Sequence, residues 1–125
     1  MMLQISFWLF ALALLGGLVL VVRFIHTGGV GAPPWALALG HGGIGTLALI
    51  LLFLALEYGP VRGAGTGSSN FGATAAVLFG IALAFGTLLL RARSRGRTPI
   101  GLTAAAHAGA AIAGFVILLV YLLLG

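Results

Sequence analysis

The chain has 125 residues, 62% of them hydrophobic, with six arginines, no lysine and one acidic residue, for a net charge of +5. A water-facing domain carries roughly a quarter charged residues, but only 6% of this chain is charged, so a soluble globular protein is excluded and lipid is the implied solvent. The absence of cysteine removes disulfides, thiolate metal sites and cysteine nucleophiles.

Crossing a hydrocarbon core takes about 20 apolar residues in a helix, and four stretches qualify: 3–22, 35–56, 71–90 and 100–124. None alternates as a barrel strand does, and in lipid each backbone polar group must be paired within its own segment, so all four read as helices. The expected fold is an all-α integral membrane four-helix bundle, up-and-down, a single transmembrane domain over 1–125. The first span has no basic leader and no small-residue cleavage site after it, so it reads as a permanent helix and not a signal peptide. Gln4, Ser6 and Trp8 open it, with Trp8 suited to an interfacial anchor.

Span two is announced by Pro33-Pro34 and Trp35, a helix start with an interfacial aromatic. It closes on Glu57 and Tyr58. A glycine-rich connector over 63–69 follows; it lacks the lysine of a phosphate-binding loop and reads as a flexible linker. Span three ends in a loop crowded with Arg91, Arg93, Arg95 and Arg97. Such a cluster sets orientation and meets anionic headgroups, which leaves nucleic acid an unneeded explanation. Thr98-Pro99 begins span four. With Arg23 added, the positive-inside rule puts loops 23–34 and 91–99 in the cytoplasm and both termini outside, in a bacterial inner membrane.

Ionisable residues inside membrane spans are costly and therefore functional candidates. Two lie well inside, His41 and His107, at matching depths on helices that run the same way. Their surroundings correspond: a shift of 66 residues superposes the histidines, Ala38 on Ala104, Gly43 on Gly109, Leu52 on Leu118 and Leu56 on Leu122. This suggests a two-helix internal repeat, although spans one and three barely align. Helical steps of four, seven and eleven define the faces His41, Gly45, Ala48, Leu52 and His107, Ala111, Gly114, Leu118. Each offers one ligand-type side chain followed by two small residues.

A macrocycle held between two helices needs neutral imidazoles as axial ligands, small residues beside them and cations near its propionates. His41 and His107 as metal ligands, Gly45 and Ala111 beside the ring, and Arg91 and Arg93 at the water boundary meet that specification for one b-type haem. The same small residues also suit a plain helix contact, with each histidine bonded to a neighbouring helix. His26, just past span one, reads as interfacial and solvated.

A small four-helix membrane chain with paired histidines on two helices resembles the transmembrane di-histidine cytochromes b. The resemblance implies single-electron transfer between ferric and ferrous iron. The partner would be quinone or another membrane subunit, within a larger complex. Members of that group often hold two haems on four histidines; two intramembrane histidines here support at most one. The competing readings are a cofactor-free accessory subunit and a small transporter protomer. Transport would favour broken helices and midplane charge, and stand-alone enzyme chemistry finds no acid–base pair or activated nucleophile.

Overall fold

The structure, a computed structural model, describes residues 1–27, 35–60, 69–96 and 101–124. Four helices account for nearly all of them: α1 (Met2–His26), α2 (Trp35–Tyr58), α3 (Phe71–Ser94) and α4 (Gly101–Leu124). Each is long and apolar enough to cross a membrane. The chain is an all-α, four-helix integral membrane protein.

Two boundaries differ from the sequence reading. Helix α1 continues past residue 22 to His26, and α3 past residue 90 to Ser94. Arg23, His26, Arg91 and Arg93 therefore occupy last helical turns and not loops. Arginine is a good helix former, cations are favoured beside C-terminal carbonyls, and its long stem lets the charge reach water while the backbone stays helical. Helix α3 stops where the Arg95 N–H donates to the Ala92 carbonyl at 3.2 Å and the Gly96 N–H to the Arg93 carbonyl at 3.0 Å. Gly96 has φ +66°, a conformation that glycine adopts without a Cβ penalty. The Pro33-Pro34 start, Arg62, most of the glycine connector, Arg97 and the Thr98-Pro99 start lie outside the described residues.

The helices pair as two tight hairpins, α1 on α2 and α3 on α4, which meet through α2 against α3 and α1 against α4. Around the bundle the order is thus the chain order, with α1 facing α3 and α2 facing α4 across the two diagonals. Large aliphatic side chains point outward, as at Leu15, Val77 and Leu123, whereas Ser6, Ala48, Ala75 and Gly114 are buried. Phe10, Leu52, Phe79 and Leu118 are buried among them. Lipid imposes no cost on exposed leucine, so helices associate through close backbone approach at small residues. A Cβ added at Gly114 would lie 3.3 Å from Leu78 Cβ and 3.4 Å from the Ala75 carbonyl oxygen.

A fully buried polar bond ties α1 to α2 in this interior: the Ser6 hydroxyl donates to the Ala48 carbonyl at 2.8 Å. Ser6→Ala should cost ~1 kcal/mol, the usual value of an interhelical hydrogen bond in a membrane. Thermal unfolding of the detergent-solubilised protein measures it. An unchanged midpoint would mean that the bond contributes nothing net.

Candidate cofactor site

His41 and His107 each stand six residues inside their helices, about 9 Å from the start. Helices α2 and α4 run in the same direction, so the two side chains share one level of the bundle. The residues that follow on each histidine's face are buried, Ala48 and Leu52 on α2 and Gly114 and Leu118 on α4. Both histidines consequently turn inward. Across the α2–α4 diagonal their ring centroids lie 5.8 Å apart, with ring planes at 77°.

Each ring is anchored on its own hairpin partner. His41 Nδ1–H donates to the Ala13 carbonyl on α1 at 2.8 Å, and His107 Nδ1–H to the Ala82 carbonyl on α3 at 2.7 Å. A carbonyl can only accept, so a proton sits on Nδ1, and a neutral ring would then keep its lone pair on Nε2. These helical carbonyls are reachable for a local reason. Side chains lean toward the helix N-terminus, so the residue four positions later overhangs a given carbonyl. Here that residue is Gly17 after Ala13 and Gly86 after Ala82. A Cβ at Gly17 would meet His41 Cε1 at 3.1 Å, and one at Gly86 would meet His107 Cε1 at 3.1 Å. The imidazoles lie in the space those glycines leave.

Three residues back along α1 and α3, Phe10 and Phe79 stack on each other across the other diagonal. Their centroids are 3.5 Å apart and their planes within 6°. Both are buried, and this apolar layer sits beneath the histidines, on the side away from the arginines.

No protein-family model, no curated protein and no solved structure matches this chain. The candidate site therefore rests on its own chemistry.

Gly45 and Ala111, one turn beyond the histidines, are half-buried on the inward faces. Arg93 lies seven and eleven residues from Gly86 and Ala82 and so continues their stripe toward the water boundary; it is half-buried. Arg91 is exposed and lines a groove with Leu88, Ala92 and Arg95, on another face of α3. His26 is exposed at the end of α1. Among the described residues no three of His, Asp and Glu gather as a metal-binding group, so His26 does not join the pair. Glu57 is exposed near the far end of α2.

The sequence reading marks Gly17 and Gly86 as close helix contacts but does not assign to the site the four residues that seat the rings, Ala13, Gly17, Ala82 and Gly86. The signal was present at a different shift. Moved by 69 residues, Leu9, Phe10, Ala13, Leu14, Gly17 and Leu20 fall on Leu78, Phe79, Ala82, Leu83, Gly86 and Leu89. Spans one and three therefore do align. The two histidine bonds span 28 and 25 residues, a difference of three. That difference is why the shift of 66 that matches α2 to α4 fails for α1 and α3.

Proposed function

We propose that this protein is a membrane-embedded b-type haem electron-transfer protein, with His41 and His107 as the axial ligands of one haem. The observation that carries this reading is the pair of imidazoles with centroids 5.8 Å apart across the bundle, each fixed through Nδ1 to a backbone carbonyl. Metal-ligating histidines generally donate their second ring nitrogen in this way, which sets the tautomer and raises the basicity of Nε2. With both Nε2 atoms turned to one iron at about 2 Å, the ring centres would lie roughly 6 Å apart, and their centroids are 5.8 Å apart.

The residues around the pair suit the same role. Gly16, Gly17 and Gly86 keep α1 and α3 small beside the rings, and Gly45 and Ala111 keep the next turn of α2 and α4 small. Arg93 continues the site face of α3 to the boundary where propionates need a cation, whereas Arg91, expected from the sequence to share that role, lies on another face of α3. Bound haem supplies a ferric/ferrous couple that passes one electron at a time. With His41 and His107 both holding the iron, the site would favour electron transfer over oxygen binding. An electron partner within reach of so bare a membrane chain is a quinone or another membrane subunit. The arginine ends of α1 and α3 lie on the cytoplasmic side of a bacterial inner membrane.

A dithionite-reduced minus oxidised spectrum of the detergent-purified chain, made in haem-replete cells, tests the proposal. A b-type α-band at about one haem per chain is expected. A colourless protein would overturn it and leave the histidines as helix staples in an accessory subunit.

A further inference from the structure

The arginines of α3 divide between two faces. Arg93 continues the stripe of Ala82 and Gly86, whereas Arg91 and Arg95, one helical turn apart, border a groove of about 280 Å³ with Leu88 and Ala92 between and below them. Both guanidinium-bearing residues are exposed. They are not needed to cap the helix: the Ala92 and Arg93 carbonyls accept from the Arg95 and Gly96 N–H groups, and the Arg91 carbonyl accepts from the Ser94 hydroxyl at 2.9 Å. The chain offers them little internal counter-charge either. Its single acidic side chain, Glu57, stands near the opposite end of the bundle.

We propose that this groove is a binding site for an anionic phospholipid, with Arg91 and Arg95 holding the phosphodiester and Leu88 and Ala92 lying against the start of the acyl chains. Guanidinium forks match phosphate oxygens in geometry as well as charge. The groove lies where helix α3 leaves its apolar run, the level at which a phosphate meets an embedded protein. An apolar floor under two cations suits a lipid better than a free anion, which would leave Leu88 and Ala92 without a partner. The proposal stands apart from haem binding, since the groove faces away from the histidines.

The test is native mass spectrometry of the purified full chain, titrated with phosphatidylglycerol and phosphatidylcholine of identical acyl chains, with inorganic phosphate as a competitor. About fivefold per arginine gives a preference for the anionic lipid of roughly thirtyfold in the native protein. The R91Q/R95Q variant should lose most of that preference, while R23Q, which removes a cation at the same end on α1, keeps it. Millimolar inorganic phosphate should leave the bound lipid in place. Equal losses in both variants would show diffuse surface charge and overturn the site, as would displacement by inorganic phosphate. Should R91Q/R95Q not fold, the single substitutions R91Q and R95Q carry the comparison, each with about a fivefold loss expected.

Discussion

Alanine at either His41 or His107 is expected to abolish the reduced-minus-oxidised α-band, with haem retention falling by more than roughly 100-fold. Loss of an outer-shell partner alone costs 10- to 100-fold in metal affinity, and a direct ligand costs more. The two histidines play equivalent parts in the proposed site, since their ring centroids lie 5.8 Å apart and each is anchored by Nδ1. The two variants should therefore behave alike. The accessory-subunit reading makes a different prediction: each histidine would then be an interhelical staple, and its removal would cost ~1 kcal/mol with no spectral consequence. Added imidazole separates these outcomes further. It should restore part of the band in the alanine variants by occupying the vacated position, and a staple has no band to restore.

The second large effect belongs to Gly17 and Gly86. A Cβ at either position already comes within 3.1 Å of the imidazole Cε1, so leucine there must push the ring off its carbonyl. Gly17→Leu and Gly86→Leu should each weaken haem retention roughly 10- to 100-fold, the range for a lost outer-shell hydrogen bond to a ligand. Overpacking should also cost about 1–3 kcal/mol of stability. The matched controls are Gly43→Ala and Gly109→Ala, where an added Cβ meets nothing within 4 Å. Haem titration of the apoprotein with a parallel thermal melt reads both quantities. If the leucine variants bind haem like the controls, the carbonyl anchors have no part in the site.

These glycines show how far the sequence could be read. The shift of 66 residues singled out Gly43 and Gly109 as matching partners, yet they face open space, whereas Gly17 and Gly86, matched at a shift of 69, touch the rings. Both pairs look alike in composition. Only the pairing of α1 with α2 and of α3 with α4 shows which glycines lie opposite a histidine, because a backbone carbonyl leaves no trace in residue identity. The arginines follow the same logic. Their clustering at one membrane edge was plain, but the separation of Arg93 from Arg91 and Arg95 required α3 to remain helical through Ser94.

The sequence by itself determined the solvent, the number of helices and the depth of the two histidines. With few charges and four long apolar runs, lipid is the one medium available, and lipid requires each span to satisfy its own backbone. Depth follows from residue count at a fixed rise per residue. Tertiary structure alone decided that α2 and α4 stand on a diagonal, that the imidazoles meet across it, and that Ala13 and Ala82 hold them. Those features depend on helix rotation and on which hairpins pack, and small differences in close contact set both. Glycine and alanine lie along nearly every face of these helices, so the apolar pattern does not encode them.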